Sequence, residues 1–503
     1  SPSRIDCRQS AAWTGSSCST AAASSRRGHT RRCSRHAAIT RHCGAGSRAA
    51  SAWIYPAASG RTLCSPSEPS VQREPLVFVG TCDLAGLVRG KGFPAADLAA
   101  RLRDGVGLTH SNIMMSVFGP IYETPFGTEG DLVLRPDPST KVEVEFGDGA
   151  AERFYLADIM TLDGKPWECC PRDFLRRALA ALESEAGVTL MAAFEQEFVY
   201  TGVEDRPGAT YALDAWRRQG DFGEAYTAAL RMAGLKPDSF LPEYGARQYE
   251  VTIHPSRGLR VADEAVIQRE MARAVAHRLG HRAIFAPILD PDGVGNGTHI
   301  HFSLRDRHDK PTLYDSARPY CLSPIGEHFA AGIVQHLPFI TAITAPAAAS
   351  YFRLRPNRWA PTWANLGQQD RGASLRVCPI FGEPAAERFN LEYRVADAAA
   401  SPYLALGAVV WAGLDGIRQK CTLPPPPARN FWDMSEAERE AAGVRPLPRS
   451  LGDALDNLEA SAVARGWFGD TFFKAYLQFK RAELRALKGL VPAQICERYA
   501  AVY

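Results

Sequence analysis

Several things are scarce in this chain, and each scarcity excludes a class of protein. The first 74 residues contain no Lys and only three acids, Asp6, Glu68 and Glu74, against eleven Arg. This Ser/Ala/Arg-rich stretch has no periodicity and too little apolar content for a core, so residues 1–74 are expected to be a disordered extension. An organellar transit peptide shares that composition, but the stretch lacks an amphipathic pattern and is set aside from the fold. None of the twelve cysteines forms a CxxC pair. The seven outside the extension, including the adjacent Cys169 and Cys170, are expected to be reduced structural thiols of a cytoplasmic protein. No apolar run reaches the roughly 20 residues of a membrane helix. The stretch from Ile333 to Ala349 is expected to be broken by Pro338 and Pro346, and that from Tyr403 to Leu414 is too short. An excess of positive charge is also missing from the main body, where 47 basic residues face 52 acidic ones. Neither nucleic acid nor a membrane surface is an expected partner.

The chain is nevertheless long, at 503 residues, and 46% hydrophobic, enough for one large domain and a smaller one. From Leu76 the pattern LVFVGTCDLAGLVRGKGFP reads as strand, turn and strand, followed by a short helix in AADLAARLRDG and strands in DLVLRPDPS and ERFYLADIM. These form an expected small domain at 75–165. A helix opened by Pro171 begins the larger part, residues 166–503. There, strands near 190–200, 247–254, 297–304, 373–378 and 389–395 mix with helices near 222–234, 261–280, 324–344, 401–418, 451–464 and 468–487. The expected class is α+β, with helices covering one side of a sheet.

Four of the segments place metal- or anion-binding side chains at matched positions. Glu195 and Glu197 lie in AAFEQEFVY, Glu243 and Glu250 in PEYGARQYEV, His299 and His301 in GNGTHIHFSL, and Glu392 and Arg394 in FNLEYRV. Alternate residues of a strand share a face, so each two-apart pair looks into one cleft. Each has an ordinary alternative: a solvated Glu pair, a satisfied core histidine, an intrastrand ion pair. Four such segments in one domain are harder to explain by packing. Ser303 shares the face of His299 and His301, and Gly295 and Gly297 allow close approach of backbone to a ligand. Arg353, Arg371, Arg376 and Arg394 add fixed cations suited to carboxylate and phosphate. The donors Glu195, Glu197, Glu243, Glu250, Glu392 and His299 are mostly oxygens, which favours two Mg²⁺ or Mn²⁺ over structural zinc.

Taken together, FEQEF, PEYGARQYEV, GNGTHIHFSL, SYFRLRP, DRGASLRV and EYRVADAAASPYLALGAVVWAGLDGI resemble the glutamine synthetase family in order and spacing, over about residues 76–503. The resemblance implies a small N-terminal β-grasp domain followed by a large catalytic α/β domain. It also implies a homo-oligomer, a dodecamer of two stacked hexameric rings. By position, Glu197, Glu243 and Glu250 would hold one metal, and Glu195, His299 and Glu392 the other. His301 and Ser303 would line the ATP site. Arg371 and Arg376 would stabilise the transferring phosphoryl group, and Arg353, Arg394 and the Gly295 backbone would hold glutamate. The implied reaction forms γ-glutamyl phosphate from glutamate and ATP, then an amide with a nitrogen nucleophile.

The chain departs from the ammonia-using pattern where that pattern supplies acids. Trp359 in RPNRWAP stands at a flap position that carries Glu in ammonia-using members, and LTHSNIMMSVFG has no Asp. These features, and the short PEYGARQYE segment, resemble the γ-glutamylpolyamine (putrescine) branch, so an organic amine is the expected acceptor. Glutamine synthetase proper, using ammonia, is the alternative within the family. A non-catalytic relative that binds glutamate or a nucleotide is the alternative of another class. Trp432 in NFWD replaces a tyrosine that some bacterial members adenylylate, so control by that route is not expected.

Overall fold

The computed structural model describes residues 73–503 except 148, 427 and 428. The expected extension, residues 1–74, therefore lies outside the described residues save for Arg73 and Glu74. Strand β1 (Leu76–Cys82) buries Val77 and Val79 and turns back antiparallel into β2 (Val88–Pro94). The buried Asp83 carboxylate closes this turn, accepting from the amides of Ala85 (2.8 Å) and Leu87 (3.0 Å) and from Arg89 Nε (2.7 Å). Four further strands, β3 (Val106–Thr109), β4 (Asp131–Pro136), β5 (Val142–Val144) and β6 (Glu152–Met160), complete the sheet. The order is β2-β1-β6-β4-β3, with β5 also on β6, and β1 runs parallel to β6. Strands β3 and β5 were not expected, because three or four residues are too few to display a period.

A helix from Pro171 to Ala186 leads into the larger part, with Pro171 in its first turn and Gly187 closing it in the left-handed region. Its Arg172 is buried and bonds Asp263 through Nε and Nη2 (both 2.9 Å), Asp158 (3.0 Å) and Asp137 (2.7 Å). Asp137 and Asp158 belong to the small-sheet region and Asp263 to a helix of the larger part. One guanidinium therefore ties the two together, a role that its rigid fork of donors suits.

The second sheet contains β7 (Val188–Tyr200), β8 (Pro237–Pro242), β9 (Gln248–Ile253), β10 (Ser256–Arg257), β11 (Ala283–Ile284) and β12 (Thr298–Asp306). After β13 (Trp363–Ala364), which pairs elsewhere, come β14 (Leu366–Gln368), β15 (Leu375–Val377) and β16 (Leu391–Tyr393). The order is β14-β15-β16-β12-β7-β9-β8, with β10 and β11 on β7. One face is apolar: Phe194, Phe198, Val251, Ile300, Phe302, Leu304, Leu391 and Tyr393 are all fully buried. The helix Arg260–Arg278 covers part of it. Gln196, the one polar residue of β7 on this face, gives its amide N–H to Ala265 O (3.0 Å) and Gln268 Oε1 (2.9 Å), and Arg269 donates to its oxygen. The helix Pro402–Gln419 is buried almost all round. With one face sealed, the alternate residues of the same strands must face the other way.

One expected helix accommodates an internal proline, and two other helix expectations change. The helix Pro324–Thr344 forms where one is expected, near 324–344, and runs through Pro338. Burial of most of its residues outweighs the roughly 3 kcal/mol that an internal proline costs. The expected helix at 451–464 is two, Leu451–Glu459 and Ala462–Phe468, the second capped by Ser461 Oγ accepting from the Ala464 amide (3.1 Å). A last helix, Pro492–Val502, was not expected. Among the described residues no helix is long and apolar enough to cross a membrane, and the seven described cysteines are free thiols.

Candidate active site

Strand register brings the expected side chains together on the open face of the larger sheet. Across β7 and β12, Glu195 pairs with His299. Across β7 and β9, Glu197 pairs with Glu250. His301 on β12 pairs with Glu392 on β16, and Glu392 with Arg376 on β15. Directly opposed residues point to the same side of a sheet, so these seven side chains converge although their strands are scattered over nearly 200 residues. Glu243 joins them from the residue after β8, its carboxylate accepting from the Tyr244 amide (2.9 Å) and the Tyr211 hydroxyl (3.3 Å).

At the centre, His299 Nδ1 lies 3.6 Å from Glu195 Oε2 and 3.4 Å from Glu392 Oε1, and His301 Nε2 lies 3.2 Å from Glu195 Oε1. Donor atoms of Glu195, Glu250 and His299 all fall within 4.8 Å of one another, as do those of His301, Cys378 and Glu392. The tightest grouping thus joins Glu250 to Glu195 and His299 rather than to Glu197 and Glu243 alone. Glu197 is held on one side, its Oε2 accepting from Gln248 Nε2 (2.9 Å) and the Gly297 amide (2.7 Å).

The electrostatics divide the cluster in two. Burial raises the Glu243 carboxyl to about 7, and the charge of Glu197 adds to the effect. Burial and the charges of Glu195, Glu197 and Glu243 push Glu250 well above the usual carboxylate range. Among the described residues no Lys or Arg forms an ion pair with Glu197, Glu243 or Glu250. On the other side, burial would raise Glu195 and Glu392, but the histidines outweigh it at Glu195, and His299, Arg394 and His301 bring Glu392 down to about 2. Burial disfavours charge on His301, yet Glu195 and its hydrogen bonds hold that imidazole well above its ordinary value. Acids forced together without counter-charge are the signature of a cation site. An all-oxygen set with one imidazole fits Mg²⁺ or Mn²⁺, which the residues Glu195, Glu197, Glu243, Glu250 and His299 would hold.

Other expected residues are placed differently. Glu392 is engaged on both oxygens, by Arg394 and by Arg376 Nη1 (2.7 Å). It is therefore first the anionic partner of two buried arginines, and it could coordinate a metal only by sharing those oxygens. Arg394 also donates through Nε to Arg371 O (2.9 Å) and through Nη2 to Trp359 O (3.5 Å). Arg353, expected to hold substrate, is buried and spends its guanidinium on the carbonyls of Val395 and Arg394 (both 3.0 Å). The glycines before His299 serve Arg353: a Cβ at Gly295 would lie 2.6 Å from Arg353 Cγ, and one at Gly297 3.0 Å from its Nη2. Arg371 is exposed. Ser303 lies two residues past His301 on the same face, opposite Met191.

Sequence profiles decide what this cleft belongs to. That of the glutamine synthetase catalytic domain matches residues 168–499, and that of the glutamine synthetase N-terminal domain matches residues 67–167. The chain belongs to the glutamine synthetase family. It is therefore a carbon–nitrogen ligase of a family that generally uses ATP and divalent metal ions. It is 33% identical to the gamma-glutamylpolyamine synthetase of Streptomyces coelicolor over 82% of this chain and 90% of that one. It is also 33% identical to the glutamine synthetase of Pyrococcus furiosus, over 81% and 89%. A crystal structure of a glutamine synthase homolog superposes with a TM-score of 0.80 at 40% identity, covering 87% of this chain and all of that one. A GmaS complex with ADP matches at 25% identity and a TM-score of 0.71, covering 83% and 95%.

Three residues beyond the expected set contribute to the site. Cys378 Sγ lies 3.6 Å from His301 Nδ1, and Asn390 Oδ1 lies 2.9 Å from the same nitrogen. Both were within reach of the period-two rule, since Cys378 is two residues beyond Arg376 and Asn390 two before Glu392. Tyr211, beside Glu243, had no such signal; it sits in a loop at φ 51°.

Proposed function

We propose that this glutamine synthetase family ligase joins glutamate to a small organic amine, putrescine-like in character, at the expense of ATP. The observation that carries the acceptor is Trp359. It is 68% exposed at φ 54°, with its carbonyl toward Arg394. A flap residue next to the arginine that anchors the cleft is in place to meet the incoming nucleophile. An indole offers apolar and cation–π surface to an alkylammonium, where a carboxylate would favour compact ammonium. The likeness to a gamma-glutamylpolyamine synthetase supports this choice.

In the proposed reaction, Arg371 and Arg376 neutralise the phosphoryl group passing from ATP to the glutamate γ-carboxylate. His301 and Ser303 line the nucleotide side, and the Arg394 end of the cleft, with Arg353 buttressing it, receives glutamate. Two divalent ions, held by the carboxylate cluster with His299 and Glu392, would supply charge neutralisation and orientation. The amine, deprotonated next to Glu243, displaces phosphate from γ-glutamyl phosphate. Fixed cations around a developing phosphoryl charge make preorganisation the main source of rate. The working form is proposed to be a cytoplasmic dodecamer.

Phosphate release with ATP, Mg²⁺ and glutamate should be compared across putrescine, ethanolamine, an aromatic amine and ammonium. Putrescine-type amines are expected to exceed ammonium by roughly tenfold in kcat/KM, the scale of one cation–π contact. Trp359→Glu is expected to narrow or reverse that ratio. Turnover on ammonium equal to that on every amine would support glutamine synthetase proper instead. No release with any nitrogen donor would favour a binding protein.

A further inference from the structure

The Asp370–Gly372 turn carries Arg371, and a single side chain from a distant segment clamps it. Trp432 Nε1 donates to both oxygens of Asp370, at 3.0 and 2.9 Å. Asp370 Oδ1 also accepts from the Gly372 amide (2.8 Å), which closes the turn on itself. The indole lies against Gly372 so closely that a Cβ there would be 2.3 Å from Trp432 Cζ2. Trp432 is itself fixed. It occupies a short 3₁₀ turn, Phe431–Asp433, capped by Asn430. Arg439 stacks over the rings of Trp363, Phe431 and Trp432 while donating to the carbonyls of Phe431 (3.1 Å) and Trp432 (3.1 Å). On its inner side the same turn gives the Arg371 carbonyl to Arg394, which is paired with Glu392. The charge of Arg371 reaches the Tyr211 phenol, and that phenol contacts Glu243.

We propose that Trp432 is a positioning residue that, through Asp370 and Gly372, sets where Arg371 meets the reacting phosphoryl group. This rests on the role given to Arg371 above. Trp432 is assigned no contact with substrate or metal. It acts only through the turn, because an exposed arginine on a free loop would spread its charge over many positions, whereas a clamped one is preorganised. The turn has Asp rather than Glu at 370 and Gly at 372 because a short carboxylate and a bare Cα leave room for the indole.

The test uses Trp432→Phe, which keeps the ring over Gly372 and removes the N–H. Its kcat is expected to fall roughly tenfold, the scale of one lost hydrogen bond to a charged group, with KM for glutamate within about twofold. Asp370→Ala should match it, Asp370→Asn should recover most of the loss, and Trp432→Phe/Asp370→Ala should be no slower than either single variant. Hydrogen exchange at the Arg371 and Gly372 amides should quicken in Trp432→Phe, a readout that needs no turnover. Unchanged exchange, or losses that multiply in the double variant, would overturn the proposal. A wild-type chain without ligase activity but with faster exchange in the variant would sink the role of Arg371 and leave the clamp standing.

Discussion

Glu250→Gln is expected to lower turnover by a thousandfold or more while raising the melting temperature of the metal-free protein. The two effects have one cause. Glu250 faces Glu195, Glu197 and Glu243 from a buried position, and all three carboxylates disfavour its charge. In the working enzyme that repulsion is relieved by divalent cations, so losing one oxygen ligand removes several kcal/mol of phosphoryl-charge stabilisation. Without metal the same charge is only a burden, and the isosteric amide relieves it. The pH dependence follows from linkage. Burial, with the charge of Glu197, pushes the Glu243 carboxyl up to about 7 in the folded protein, against an ordinary value of 4.5. Between those values the native state keeps a proton that the unfolded chain has released. Metal-free stability is therefore greatest at or below about pH 4.5 in this respect and falls as pH rises toward 7. Glu250, raised for the same reasons, adds to that fall, and Glu250→Gln should make the profile shallower. Thermal scans from pH 5 to 8 with and without Mn²⁺, beside phosphate-release assays, check both halves. Near-normal turnover would remove Glu250 from the metal site.

Arg394→Gln is expected to cost on the order of 3–5 kcal/mol of stability, the scale for breaking one side of a buried ion pair. It should also abolish measurable ligation. Arg394 and Glu392 are both almost wholly buried, at 4% and 1% side-chain exposure. Removing the guanidinium leaves Arg376 as the one arginine on Glu392, beside the two histidines, and frees the Arg371 carbonyl and the Trp359 flap at once. The double variant Glu392→Gln/Arg394→Gln should regain only part of the stability, because the carboxylate left short of charge is removed while Arg376 loses its ion-pair partner, and none of the activity. Urea unfolding of the three variants reads the first effect. Equal stability for Arg394→Gln and wild type would show the pair to be solvated rather than buried.

The sheet face was legible in the sequence because a β-strand repeats every two residues. Glu195/Glu197, His299/His301 and Gln248/Glu250 each declare a polar face opposite an apolar one, and the observed registers bring those faces into one row. What the period could not reveal was how far apart in the chain partners would be found. Glu392 is shared with Arg376, sixteen residues earlier on a neighbouring strand, so its commitment to two guanidiniums is a property of strand order. Arg353 binds main-chain carbonyls some forty residues away, and carbonyls leave no mark in a sequence. The glycines at 295 and 297 suggest room for a ligand in the sequence, but the space a side chain would take there is filled by Arg353. The Trp432 clamp was hidden for the same reason as Arg353: its partner lies sixty-two residues off.

The proposed chemistry requires Glu195, Glu197, Glu243, Glu250 and His299 to be a binding site for divalent cations. Diffraction from Mn²⁺-soaked crystals, recorded at the manganese absorption edge, tests that directly. Two anomalous peaks per chain are expected within about 2.0–2.6 Å of these donors, the range of hard-cation contacts to protein oxygens. At least one peak should disappear in Glu250→Gln. A cluster that stays free of manganese at millimolar concentration, or peaks only at sites away from these residues, would contradict that chemistry.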